Sequence, residues 1–507
     1  MVQLTYKCKR IVSLDMKAIA LLTLIIPSVV FLLTHVRLVF GIPCSVFMVG
    51  SVALCIRENR RQKRAPFSAG DYRTNQVSLL LATVCLLVAA LWTFLSGIGG
   101  FFSQSYDFNG RNAIIHDLFN HPWPVYFQDT PYALTYYTGY WLVPVGLSKL
   151  FVPLIGSDAS WKLMNILQFI ETVWMLWIVF ILLITLFRKT KYPILILLFF
   201  IFFSGLDALM YYVNSGWKLD SHLEWWSVIW QYSSNTTCLF WVYNQAVPAW
   251  IATLLLLHYK EDVRSYALFG LSIAICSPFP LVGFVLLCVA MFACLVFHAR
   301  KEKESFAACL KNAFSPTNCL AVAGALPIFL YLISNQSASG TAFHFETYPD
   351  RYSLGKFLLT ILRFDFIEWG IWALLLFRRY KKEPVYLIAC VSLFLIPFFR
   401  AGGYENDFVM RASIPALIVL MTYCIRYMLE CRKTKRVLGC LVMTAVFVIG
   451  AITPAVEFKR GFWEFVNNGF RPKISDEFKT VLSPLADNNN FIGNTDEAFF
   501  YRYLARK

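Results

Sequence analysis

Asp107, Arg111, His116, Asp117, His121 and Asp129 crowd the polar stretch 104–129 of a sequence otherwise poor in charge. A carboxylate at the edge of a cavity can take a proton from a hydroxyl group or bind a divalent cation through oxygen. Clusters of titratable groups mark functional sites more often than chance allows. Asp107 is therefore the first candidate base, with Asp117 and His116 behind it as further catalytic candidates. Helical spacing over 113–119 sets Asn112 and His116 on adjoining faces. His121, followed by Pro122-Trp123-Pro124, is expected to shape the return of the loop, and Asp129 likewise.

Two more stretches carry binding chemistry. Between 220 and 250, His222, Glu224 and Asn244 stand among tryptophans and amides. Aromatic faces flanked by hydrogen-bonding groups suit a sugar ring or a lipid headgroup, and an interfacial aromatic belt is the plainer reading. At 402–411, Asp407 and Arg411 are four apart and can pair on a helix. Arg411 and Arg111 are candidate phosphate clamps, because a guanidinium is always charged and binds phosphate through two parallel bonds. Gly402 and Gly403 leave the backbone free to approach a ligand. Glu171 sits inside a long apolar run, where an acid is costly and faces a cavity or a partner. Arg363, Asp365 and Glu368 are spaced to pair with one another.

These groups must be positioned by helices. Hydrophobic residues make up 58% of the 507 positions and charged residues 15%, with a mean hydropathy of +0.58, which excludes a soluble globular class. The apolar runs are continuous and about 15–25 residues long, as helices crossing a hydrocarbon core require, and do not alternate as barrel strands do. The expected class is all-α, a polytopic transmembrane bundle. The formal charge of +16 is spread over short basic blocks between apolar runs: Lys7/Lys9/Arg10, 57–64, Arg188/Lys189/Lys191, Arg300/Lys301/Lys303, 378–382 and 432–436. Such blocks are topology signals and argue against nucleic acid as a partner. The fourteen cysteines lack CxxC or CxxH spacing, so neither a disulfide framework nor a zinc site is expected.

With basic blocks assigned to the cytoplasm, about thirteen crossings result. The N-terminus is inside, and the C-terminus outside the cell membrane. Parity favours the aromatic segment 136–151 lying along the outer interface, the alternative being a short transmembrane helix, and Ser277-Pro278-Phe279-Pro280 breaks the run 263–297 into a hairpin. The organisation expected is an N-terminal hairpin and basic loop over 1–76, a transmembrane core over 77–456, and an extracytoplasmic tail over 457–507 forming a small amphipathic element on the outer face. The outer polar segments are then 99–129, 207–243, 335–363, 400–411 and the tail.

The order of a basic-capped helix, the loop bearing Asp107, the segment Tyr136-Tyr137-Thr138-Gly139-Tyr140-Trp141-Leu142, and a long helix ending in Arg188-Lys189 resembles the GT-C superfamily of membrane glycosyltransferases. The likeness covers about 77–191. Segments such as NDFVMRASIPAL and SSNTT-x-LFWVYNQAVPAW also resemble a group of bacterial polytopic membrane proteins. The GT-C resemblance implies a sugar donor on polyprenyl phosphate, membrane lipid as surroundings, inverting transfer to an envelope glycan, lipid or protein, and Asp107 as base. Arg111, His222, Glu224, Asn244, Asp407 and Arg411 would then bind substrate. This sequence departs from the pattern in its extra N-terminal hairpin, and in Phe108 after Asp107 where many members carry an Asp-Glu pair. Those departures leave the acceptor and any divalent cation open. The rival expectation is a transporter or a lipid or polysaccharide flippase, with Glu171 on the substrate path.

Overall fold

Once water is excluded, each backbone N–H must find its acceptor within its own segment, and the apolar runs accordingly fold as helices. The computed structural model describes residues 11–64, 75–187, 190–216, 222–227, 229–302, 305–338, 342–343, 353–401, 407–434, 437–483 and 488–507. Lys7, Lys9, Arg10, Arg188, Lys189, Lys303, Lys435 and Arg436 of the basic blocks, with Gly402 and Gly403, lie outside those residues.

In chain order the helices are α1 (Met16–Thr34), α2 (Leu38–Arg64), α3 (Leu79–Leu95), α4 (Phe108–Asn120), α5 (Gly139–Ile155), α6 (Ser157–Leu186), α7 (Pro193–Phe202), α8 (Asp207–Ser215), α9 (Asn235–His258) and α10 (Tyr266–Leu271). They continue as α11 (Pro278–Lys301), α12 (Phe306–Ala313), α13 (Pro316–Leu332), α14 (Leu354–Asp365), α15 (Ile371–Tyr380), α16 (Pro384–Leu395), α17 (Asp407–Ala412), α18 (Ile414–Thr434), α19 (Val437–Gly450) and α20 (Ile452–Asn467). Among the described residues eight helical stretches are long and apolar enough to cross a membrane, and the bent pair α12 and α13 makes a ninth. The chain is a multi-pass, all-α membrane protein.

The bundle has two distinct ends. At one, Lys17 pairs with Asp262 at 3.0 Å, Arg379 with Glu430 at 2.9 Å, and Arg432 lies over the Tyr192 ring at 4.7 Å. Strands β1 (Ile11–Leu14) and β2 (Asn75–Ser78) pair antiparallel close to the start of α1. At the other end His35 and Arg37, which follow α1, accept from Arg506 and donate to Leu504 through the backbone at 2.9 and 2.8 Å. There β3 (Tyr132–Leu134) pairs with β6 (Ile492–Asn494), and β4 (Ala342–Phe343) with β5 (Phe399–Arg400). The hairpin α1–α2 is built into the bundle, with α2 packed along α13 and α1 against α5 and α6.

Three expectations change in detail. The run 265–276 holds only the six-residue α10, about 9 Å of helix, and continues in turns to Ser277. Ser272 and Ser277 are buried, and Ser277 Oγ donates to Gln245 O at 2.8 Å, which is how irregular backbone survives at membrane depth. α11 does begin at the Pro278 break. The segment after Tyr136 forms α5, which lies beside the first half of α6, with Tyr140 Oη and Thr172 Oγ1 2.8 Å apart and Lys149 donating to Leu118 O at 3.0 Å. Leu147, Leu150, Phe151 and Leu154 form its exposed apolar stripe. The tail contains no amphipathic helix over its described residues beyond α20. Residues 471–483 run without regular structure and are fastened by hydrogen bonds.

α11 approaches α17 closely because Gly283 has no side chain: a Cβ there would lie 1.9 Å from Ala412 O. Gly283→Ala is expected to destabilise the solubilised protein by about 1–3 kcal/mol, read as a lower unfolding midpoint. Gly355→Ala, where nothing lies within 4 Å of the added carbon, is the control expected to leave the midpoint unchanged.

Candidate functional site

The polar end of the bundle encloses a cavity of about 850 Å³, and each of the five polar segments contributes to its wall. Asp107 precedes α4 with its side chain 42% exposed and pairs with Arg111 one turn later at 3.3 Å. Arg111 is buried, its guanidinium 5.7 Å from the Phe108 ring and 6.0 Å from that of Tyr243. Across the cavity Arg411 is buried at the end of α17, ion-paired with Asp407 as the i,i+4 spacing allows, and lies 5.8 Å over the Phe279 ring. Tyr136 and Tyr137, whose hydroxyls bond to each other, line the same space.

Neither arginine is satisfied by its carboxylate. Arg111 Nη1 and Arg411 Nε are buried and have no hydrogen-bond partner among the described residues, while Arg411 Nη1 lies against Asp407 Oδ2. A charged donor removed from water without an acceptor costs several kcal/mol, so such a group calls for an anion. Two of them on the wall of one cavity define an anion-binding surface.

His222 lines the cavity beside Trp225, Gln231 and Trp241. Its Nδ1 lies 2.7 Å from Glu457 Oε1, and Glu457 also accepts from Trp241 Nε1 at 2.9 Å and Arg460 Nη1 at 3.1 Å. Burial pulls the imidazole's pKa down, but the bond to Glu457 and the charges of Glu457 and Glu224 outweigh it, and the net shift is upward from 6.5. Glu224 sits one layer behind the wall, accepting from Gln231 Nε2 at 2.8 Å and Ser234 N at 2.9 Å. Burial raises its carboxyl above the usual range. Asn244 is buried within α9 and does not line the cavity.

His116 and Asp117 have other work. His116 Nε2 is 2.8 Å from Asp476 Oδ1, with its ring stacked on Trp161 at 4.3 Å. Asp117 Oδ2 accepts from Val481 N at 2.9 Å and Thr480 Oγ1 at 3.1 Å. Together with Asn112, which donates to Ser475 O at 2.7 Å, they hold the tail onto α4. In turn the tail sets Phe478, Asn490 and Phe491 into the cavity wall. The geometry thus separates the two from Asp107, because the face of α4 that follows helical spacing from Asn112 to His116 meets the tail.

The rest of the wall is apolar. Val282, Val285 and Leu286 from α11 and Phe329, Leu332 and Ile333 from α13 line it, and most of them are exposed. α11 packs toward α16, α17 and α18, while α13 packs toward α2 and α10. The apolar side of the cavity is thus shared by α11 and α13.

Sequence reasoning missed this side, since an apolar residue facing a cavity has the same composition as one facing lipid. It also missed Asn335 and the residues of the tail that line the cavity. The tyrosine doublet at 136–137 was the available signal for the floor. Glu171 lies elsewhere, in a void of about 10 Å³ with Tyr140, Ser272 and Cys276, room for about one water. Arg363 does not pair with its neighbours: it reaches Asn214 Oδ1 at 3.4 Å, while Asp365 accepts from Trp369 and Glu368 from Trp226. Among the described residues no group of three or more His, Cys, Asp or Glu side chains is placed to hold a metal ion. No protein-family model, curated protein or solved structure matches the chain.

Two outcomes follow from these contacts. Asp117→Ala removes the carboxylate that accepts from Val481 N and Thr480 Oγ1, a loss of about 1–3 kcal/mol, and is expected to expose 471–483 to limited proteolysis at protease levels that spare the native protein. The raised pKa of His222 means that its stabilising pair with Glu457 is fully present below the unfolded value near 6.5 and is lost as pH rises through the higher folded value. His222→Gln is expected to flatten that part of the curve of unfolding midpoint against pH.

Proposed function

We propose that this chain is an inverting membrane glycosyltransferase that moves a sugar from a polyprenyl-phosphate donor to an envelope glycan, lipid or protein acceptor. The observation that carries the reading is the pair of buried arginines with unpartnered donors, Arg111 and Arg411, in a cavity whose wall is apolar along α11 and α13. That arrangement suits an amphiphile with an anionic head and a hydrocarbon tail extending into lipid. The tryptophans and amides near His222 suit the sugar.

On this reading Asp107, half-exposed at the rim, takes the proton of the acceptor hydroxyl. The hydroxyl oxygen attacks the anomeric carbon from the face opposite the phosphate, the bond from that carbon to the phosphate oxygen breaks, and the electron pair leaves with the phosphate. Arg111 and Arg411 hold the charge that develops there, as preorganised donors do most effectively in a site of low dielectric. His222 and Gln231 contact the donor, with Glu224 behind them and Asp407 orienting Arg411. His116, Asp117 and Asn244 act at a distance from the reaction.

The topology proposed with it has the cavity on the outer face, the N-terminus in the cytoplasm and the C-terminus outside, with about thirteen crossings. The nine long stretches supply most of these, α3, α15 and α16 three more, and the buried run of α10 with the turns to Ser277, which is not a full helical span, the last. The basic contacts around Lys17, Arg379 and Arg432 at the far end agree with a cytoplasmic face.

The test is transfer of labelled sugar from a polyprenyl-phosphate donor in membranes containing the protein. Asp107→Asn is expected to lower turnover by about 10²–10⁴-fold while donor binding stays within a few-fold. Arg411→Ala should instead weaken donor binding. Full transfer by Asp107→Asn would remove Asp107 as base, and unaltered binding of a polyprenyl phosphate by the double variant Arg111→Ala/Arg411→Ala would remove the donor class.

A further inference from the structure

Away from the cavity, two interruptions of regular helix meet. Ser204-Gly205-Leu206 separates α7 from α8, and between α14 and α15 the chain widens into a π-turn, Phe366–Gly370, a feature frequent at functional positions. The two are bonded directly: Leu206 N donates to Ile367 O at 3.1 Å, and Trp372 Nε1 donates to Ser204 O at 3.1 Å. Each interruption turns a carboxyl group inward. Asp207 and Glu368 are both buried, and their carboxyl groups are within hydrogen-bonding reach of each other.

One oxygen of each is satisfied. Asp207 Oδ2 accepts from Ser204 Oγ at 2.8 Å and Thr453 Oγ1 at 3.3 Å, and Glu368 Oε1 accepts from Trp226 Nε1 at 2.7 Å. Asp207 Oδ1 and Glu368 Oε2 are buried with no donor among the described residues. The surroundings are tightly closed. A Cβ on Gly205 would lie 2.3 Å from Glu368 Oε2, and one on Gly450 would lie 2.9 Å from Gly205 O.

The charged and titratable groups facing the junction are Glu224 on the turn at 223–227, Asp365 at the end of α14, Glu457 and Arg460 on α20, and His222 and Tyr232 beside them. His222 and Arg460 are already engaged by Glu457, and Arg363 lies over the Trp226 ring at 5.9 Å and reaches Asn214, so among the described residues no cation is ion-paired with either carboxyl group. Two carboxylates this close and this dry do not both ionise.

We infer that Asp207 and Glu368 hold one proton between them, making the junction a proton-binding site that carries a single negative charge. The proton supplies the donor that both orphaned oxygens lack, and it clamps the α7–α8 break to the π-turn. The site is also close to the cavity wall, through Glu224 and its bond to Gln231 beside His222. Loss of the proton at high pH sets two like charges against each other across the junction and loosens it.

The experiment is infrared spectroscopy of the full chain in lipid nanodiscs at neutral pH, in H₂O and D₂O, comparing the native protein with Asp207→Asn, Glu368→Gln and Asp365→Asn. The native spectrum should contain a carboxylic-acid C=O stretch, shifted in D₂O, that both Asp207→Asn and Glu368→Gln lose and Asp365→Asn keeps. In each of the first two, the new amide donates to the remaining carboxylate, so the unfolding midpoint is retained at neutral pH and falls less at high pH than that of the native protein. Either variant alone decides the matter if the other fails to fold. The inference is overturned if the difference spectra contain only ionised carboxylate bands. It is equally overturned if sodium chloride in place of choline chloride raises the midpoint of the native protein but not of the amide variants, because a cation would then occupy the junction.

Discussion

Two guanidinium groups kept from water, those of Arg111 and Arg411, set the terms for the polar end of this bundle. A buried charge survives only when it is paired and hydrogen-bonded, and here the pairing is deliberately partial. Asp107 and Asp407 each take one arginine one helical turn away, and on each arginine a buried donor atom remains without a partner among the described residues. Holding the arginines there takes α4, α17, the tyrosine doublet and the tail, which come from distant parts of the sequence and meet only through tertiary hydrogen bonds.

The same accounting explains the opposite charge on the far side of Gln231. Around Asp207, Glu224 and Glu368 acids outnumber bases, and the groups that are satisfied draw on tryptophan, serine and threonine donors. The chain keeps cationic character where the wall is open to a large cavity, and anionic character where the packing is close. His222 stands between the two, lining the cavity with one face and bonded to Glu457 with the other.

Much of this was legible in the sequence. Hydropathy gave the helical class, the basic blocks marked one end of the bundle, and charged residues in otherwise apolar surroundings singled out Asp107, Arg111, His222, Asp407 and Arg411, all of which line one cavity. What sequence spacing could not do was tell which side of α4 faces the cavity. Asp107 and Arg111 turn one way, and His116 and Asp117 turn toward residues about 360 positions later. Nor does composition separate a valine on a cavity wall from one in lipid, which is why α11 and α13 passed as ordinary spans. The pairing expected among Arg363, Asp365 and Glu368 failed because the π-turn rotates Glu368 toward Asp207.

The strand pair formed by 132–134 and 492–494 bears on the order of assembly. Phe478, Asn490 and Phe491, which close one side of the cavity, are translated after every other residue that lines it. Until they emerge and dock on α4, the arginines face an unfinished pocket. A chain stopped short of this segment would insert its helices yet present an open, misshapen mouth, so a finished cavity reports that synthesis has run through residue 491 and beyond.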